Sequence, residues 1–245
     1  MDLQGISPSA ALAVECERRF QANLRALSRI APDVAEIVCE TVVVVTCLLH
    51  SRDGSIACRL ETAAGDRRWV GGSVIPRWAA DQVLGQRRIR DTPSGTRDAP
   101  KTASPAPLSH PPRGALARLD LPEAGSLFLA PFDGGYTLNA LLDATHEHQD
   151  VFVLERDPDL FAGTLMVTDV RRAFGCGRVR VFLGSRLGEQ VATYFRTHPW
   201  DTVPEHLITT STVPETVALY RSEVALAERL AAEANRHGPG TSHAA

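Results

Sequence analysis

The hydrophobic positions change period along the chain. Leu12, Cys16, Phe20, Leu24 and Leu27 recur every three or four residues, behind Ser7 and Pro8, which suit a cap and a first helical position. This predicts an amino-terminal helix, and Pro32 to about Glu40 reads as a second, shorter one. TVVVVTCLLH (41–50) is continuous and β-branched, which predicts a buried strand. SRDG and AAGD are turn signals around SIACRLE, and RRWV follows, so three strands in an antiparallel meander are expected. Residues 75–88 read as a helix. Trp69 and Trp78 flank Gly71-Gly72-Ser73 and are expected to close this unit's core.

After residue 115 strands and helices alternate. SLFLAP (126–131), VFVLE (151–155), RVRVFL (178–183) and HLITT (206–210) are short apolar runs. Between them lie a helix with Leu138, Leu141 and Leu142 on one face, a helix from Asp157-Pro158 to about Phe174, and a helix at RLGEQVATYFRTH. Thr212-x-x-Glu215 reads as a capping box opening the last helix. Its apolar stripe is Val213, Val217, Tyr220, Val224, Ala227 and Ala231. Strand–helix alternation with apolar strands predicts an α/β fold, a mostly parallel, doubly wound, Rossmann-like or methyltransferase-like sheet of about four strands. The expected organisation is a helical and meander subdomain (1–90), a linker (91–114), the α/β domain (115–236) and a tail (237–245). The linker holds six prolines and a single large aliphatic, Leu108, too little apolar surface to offset chain entropy, so it is expected to be disordered.

Composition narrows the function classes. The 245 residues carry 26 basic and 29 acidic side chains, a net charge of −3, so no global basic field favours nucleic acid. No apolar run approaches the roughly 20 residues of a spanning helix, and no secretory signal pattern opens the chain, so a cytoplasmic protein without membrane attachment is expected. Five cysteines form no CxxC pair, which suits reduced thiols. His146-x-His148 lies beside Asp143, Glu147 and Asp150, but residues two apart do not share a helix face, so no metal site is expected. Cys176, in Gly-Cys-Gly, is expected to be exposed, without a partner base. No G-x-S-x-G elbow supports a hydrolase. The arginine pairs 67–68, 87–88 and 171–172 suit either an anionic ligand or acidic side chains.

The candidate ligand site is the first strand–helix junction with the end of the next strand. Asp133, Gly134, Gly135 and Tyr136 would bring backbone close to a ligand at a helix N-terminus. Glu155, twenty residues after Gly135, would meet two ribose hydroxyls, with Asp157 beside it. Pro131 and Asp133 stand where a full G-x-G-x-x-G would carry glycines. The bland alternative is a tight turn, with Glu155 capping the Asp157 region or pairing with an arginine.

The order of these features resembles the motility accessory factor proteins. NLRALSRIAPDVAE (23–36) resembles their opening helix pair, and RRWVGGSVIPRWAADQVL (67–84) their segment after the meander. LFLAPFDGGYTLNALL (127–142) is similar to their glycine–tyrosine turn, and VFVLERDPDLFAGTL (151–165) to their V-x-V-x-E-P-D-P strand and helix start. The resemblance implies a Rossmann-like amino-terminal domain of proteins tied to flagellin glycosylation in bacteria and archaea, with sugar transfer in a separate central domain. The leading expectation is a stand-alone homologue of that amino-terminal domain, a binding or assembly module with a protein partner or a second copy of itself. The second is a small enzyme using S-adenosylmethionine or another nucleotide. The third is an oligomerisation protein using the Val213–Ala231 stripe between chains.

Overall fold

The structure, a computed structural model, describes residues 10–80 and 125–236, apart from 53, 133, 146, 202, 205 and 212. The expected linker (91–114), the tail (237–245) and Asp133 lie outside the described residues, as do His146, the cap Thr212 and the 87–88 arginine pair. Helices α1 (Ala10–Leu27) and α2 (Pro32–Glu40) come first. Strands β1 (Val44–His50), β2 (Ile56–Glu61) and β3 (Arg67–Trp69) form an antiparallel meander in the order β1-β2-β3. A 3-10 turn at Val70–Gly72 follows, and helix begins again at residue 76.

The strand expected at 41–50 starts only at Val44 and is not buried throughout: Val42 is 81% and Val44 50% exposed. The reason is that the meander packs by one face. Leu48, Ile56, Cys58 and Leu60 cluster with Leu12, Cys16 and Val167, while Arg59 and Trp69, cross-strand partners, face the other way with the guanidinium over the indole. The tryptophans accordingly do not close the core. Trp69 is half-buried at the edge of the meander and Trp78 is exposed.

The second sheet is parallel, with β4 (Leu127–Ala130), β5 (Val151–Glu155), β6 (Val179–Leu183) and β7 (His206–Thr209) in the order β6-β5-β4-β7. Strand residues alternate between two cores. Leu127, Leu129, Val151, Val153 and Ile208 pack beneath α2 and the helices α3 (Tyr136–Ala144), α4 (Pro158–Val167) and α5 (Arg171–Gly175). Phe128, Phe152, Leu154 and Phe182 pack against α6 (Leu187–Thr197) and α7 (Pro214–Arg236). Helices therefore cover both faces, and the molecule is α/β with a Rossmann-like sheet.

The helix expected from 157 to about 174 is two helices. Asn23, fully buried in α1, makes the break. Its amide donates to the carbonyls of Leu165 (2.8 Å) and Thr168 (2.7 Å) and accepts the Val170 N–H (3.1 Å). These are backbone groups that an ending helix leaves without partners. Helix α7 starts at Pro214, one residue later than the capping box places it, with the Val217 N–H on the Val213 carbonyl at 3.1 Å. Its stripe is spent within the molecule: Tyr220, Val224, Ala227 and Ala231 are buried beside Phe128 and Phe152, and only Val213 at the start is half exposed.

Candidate ligand cleft at the strand tips

The chain moves from β4 to β5 and β6 on one side and returns with β7 on the other. The order reverses between β4 and β7, and open α/β sheets take ligands in the crevice at such a point. A cleft of about 900 Å³ opens there. Its walls come from the meander (Arg68, Trp69), the tips of β4 and β5 (Phe132, Glu155) and the start of α7 (Thr216, Leu219). The β4 and β7 tips are tied together, since Thr210 donates its amide to the Ala130 carbonyl and its hydroxyl to the Pro131 carbonyl, both at 3.0 Å.

Glu155 is 2% exposed at the end of β5. Its Oε2 accepts the Phe132 N–H at 2.9 Å; its Oε1 accepts the Asp157 N–H at 2.9 Å and the Tyr220 hydroxyl at 3.1 Å. Burial pushes its carboxyl up to about 7, against the pull of these three donors. The Tyr220 hydroxyl also accepts the Arg156 N–H at 3.2 Å, and burial beside Glu155 raises its pKa strongly. Asp157 caps α4: Oδ1 accepts the amides of Asp159 (3.1 Å) and Leu160 (3.3 Å), and Oδ2 takes Arg68 at 3.1 Å. Asp159 Oδ2 accepts the Ala63 N–H at 2.7 Å, joining α4 to the meander. Arg156 has a loose partner, Glu223 at 3.9 Å, whose other oxygen accepts the Gly188 N–H at 2.8 Å.

The expected site residues divide. Glu155 and Asp157 line the cleft; Gly134, Gly135 and Tyr136 do not. Gly134 packs on the meander, where a Cβ would sit 3.5 Å from Gly71 Cα. Gly135 is left-handed (φ 78°) and faces inward, where a Cβ would meet Val170 Cγ1 at 2.8 Å. Tyr136 opens on a separate pocket of about 420 Å³, beside Asn139 and Asp143, with the Arg77 guanidinium 5.7 Å from its ring centre. The glycine turn and Glu155 remain joined through the Phe132 amide.

Cleft residues that no sequence pattern marks are Arg156, Thr210, Ser211, Thr216 and Leu219, along with Trp69, whose flanking glycine turn suggests a core position instead. Only the strand order brings the end of β7 beside β4, and no local pattern encodes that order. The described arginine pairs meet acids: Arg67 with Glu61 (3.4 Å), Arg68 with Asp157, Arg171 with Asp169, and Arg172 with Asp143 (2.9 Å). Cys176 is exposed and donates its thiol to the Ala173 carbonyl. Burial pushes the Cys16 thiol up to about 11 and the Cys58 thiol up to about 12, which makes both poor nucleophiles. Among the described residues no three His, Cys, Asp or Glu side chains gather to hold a metal, and no helix is long and apolar enough to cross a membrane. Among the described residues no histidine, cysteine or lysine lines the cleft, and the three acids that do, Glu155, Asp157 and Asp159, are engaged within the protein.

No family model matches the chain, and no curated protein matches it. One solved structure does: the MAf glycosyltransferase from Magnetospirillum magneticum AMB-1, with a TM-score of 0.54 and 17% identity over 87% of this chain. This chain spans 35% of that protein's length. The resemblance to motility accessory factors read from the sequence thus has a counterpart in three dimensions, and the chain shares its fold with about a third of that glycosyltransferase.

Proposed function

We propose that this domain is a ligand-binding module of a glycosylation-associated protein, holding a small molecule in the β4–β7 crevice without itself making or breaking bonds. The observation that carries this reading is the state of Glu155. Its position at the tip of β5, beside an open cleft, suits a general acid or a ribose anchor, yet its oxygens already take Phe132, Asp157 and Tyr220. It positions the walls of the cleft. The likeness to the MAf glycosyltransferase supports the glycosylation setting. The S-adenosylmethionine reading needs Glu155 to exchange these partners for ribose hydroxyls and the Gly134–Tyr136 turn to face the ligand.

The test is hydrogen exchange on the full chain with and without a protein-free metabolite extract. Protection at 62–72, 155–157 and 210–219 is expected. Protection elsewhere, with none at these segments, would overturn the reading.

A further inference from the structure

Resting on that reading, we propose that the cleft takes a nucleoside diphosphate-class ligand, its diphosphate between Arg68 and Arg156 and its ring system against Trp69. Three observations converge on this chemistry.

The first is the balance of unspent hydrogen bonds. Asp157 is used by the start of α4 and by Arg68, Asp159 by Ala63, and Glu155 by three donors. The guanidinium groups are not used up. Among the described residues Arg156 reaches an acid, Glu223, only at 3.9 Å, and its side chain is 34% exposed. Arg68 gives one N–H to Asp157 and stays half exposed. A guanidinium offers five donors in a fixed fork, so the surplus in this cleft is of planar donors, matched by phosphate oxygens. The two arginines flank Asp157, one by sequence and one by ion pair, which suits two linked anionic groups better than one.

The second is size and lining. About 900 Å³ lies near the upper end of the range for small-molecule sites, and a lone phosphate would leave most of it to water. Beyond the arginines the walls turn apolar, with Trp69, Val213 and Leu219. A planar heterocycle gains from such a wall, and stacking on an aromatic side chain tolerates any base.

The third is placement. The cleft sits at the reversal of strand order, and the 23-residue helix α7 opens onto it with Thr216 in its first turn. The amino-terminal end of a helix this long adds partial positive charge at the cleft.

Calorimetry on the full chain with ADP, CDP, GDP and UDP, with inorganic diphosphate and with the free nucleosides, tests this. At least one nucleoside diphosphate is expected to bind with micromolar Kd, and inorganic diphosphate tenfold or more weakly. Arg156→Gln, with Arg68→Gln as the second variant, is expected to weaken the nucleotide at least tenfold. Trp69→Leu should weaken the nucleotide and leave inorganic diphosphate unchanged. No heat from any nucleoside diphosphate at millimolar concentration overturns the inference, as does binding indifferent to these substitutions. If nucleotides fail while the metabolite extract still protects 155–157 and 210–219, the ligand class is wrong and the module reading stands; if both fail, both fall.

Discussion

The hydroxyl of Tyr220, on α7, donates to Oε1 of Glu155, at the tip of β5, across 3.1 Å of buried space. This bond joins the last helix to the centre of the sheet, and the burial of the carboxyl it reaches makes the cleft sensitive to proton concentration. A carboxyl raised from 4.5 to about 7 by burial keeps its proton in the folded protein over a range where the unfolded chain has lost it. Stability therefore falls as pH rises between these values, and the loss is complete above 7. The shift corresponds to about 3 kcal/mol at most. Urea denaturation at pH 5 and pH 8 should show the lower midpoint at pH 8, and Glu155→Gln should flatten the difference. Equal midpoints for the parent protein would refute the assignment.

Tyr220→Phe removes a donor that holds the Glu155 pKa down and leaves the Arg156 N–H without its acceptor. The carboxyl should titrate higher than in the parent, measured by carbon NMR of labelled glutamate. The variant should lose roughly 1–3 kcal/mol at pH 8. A lower pKa in the variant would contradict the hydrogen-bond assignment.

Asn23→Ala should cost roughly 2–4 kcal/mol, since three buried backbone groups, one in α4 and two in the link to α5, lose their partner together. Asn23→Asp keeps the size and loses both donors, so at pH 7 it should be no more stable than the alanine variant. Thermal melting with circular dichroism measures both.

Gly163→Ala places a methyl 2.5 Å from Leu60 Cδ1 and 2.8 Å from Val70 Cγ2, where α4 meets the meander. Overpacking of this kind costs about 1–3 kcal/mol. Leu60→Ala opens the space, so the double variant should be clearly more stable than the sum of the two single losses. Simple additivity would mean that the two residues do not touch.

Asp157→Ala and Arg68→Ala separate a cap from a surface ion pair. The first removes the acceptor for the amides of Asp159 and Leu160 and should cost about 1 kcal/mol. The second removes a half-exposed pair and should cost no more than about 0.5 kcal/mol. Denaturant midpoints of the two variants decide it, and equal losses would make the pair, and not the cap, the main contribution.

The elements that could be read from the chain are those whose pattern is local. VFVLE becomes β5 with its predicted ends, because five consecutive apolar or end-of-strand residues suit a strand covered on both faces. Asp157-Pro158 marks the start of α4 by its own side chain and ring. What escaped is set by distant residues. Nothing near Thr168 predicts that α4 stops there, since the cause is an asparagine 145 positions earlier. The valines at 42–44 have strand chemistry, but their exposure depends on which face of the meander finds a partner. In the candidate site, the tip of β5 was legible, whereas the meander wall and the β7 side follow from tertiary arrangement alone.

A Cβ at Gly134 would sit 3.5 Å from Gly71 Cα and 3.6 Å from Val70 Cγ1, so the loop after β4 packs closely on the turn after β3. One wall of the crevice is thus borrowed from a separate sheet. A molecule lodged there would bridge both sheets as a clamp, adding to the cost of peeling the meander away by an amount that grows with the logarithm of its concentration over Kd. Occupancy would then register as a firmer grip between the two halves, even in experiments that never observe the ligand itself.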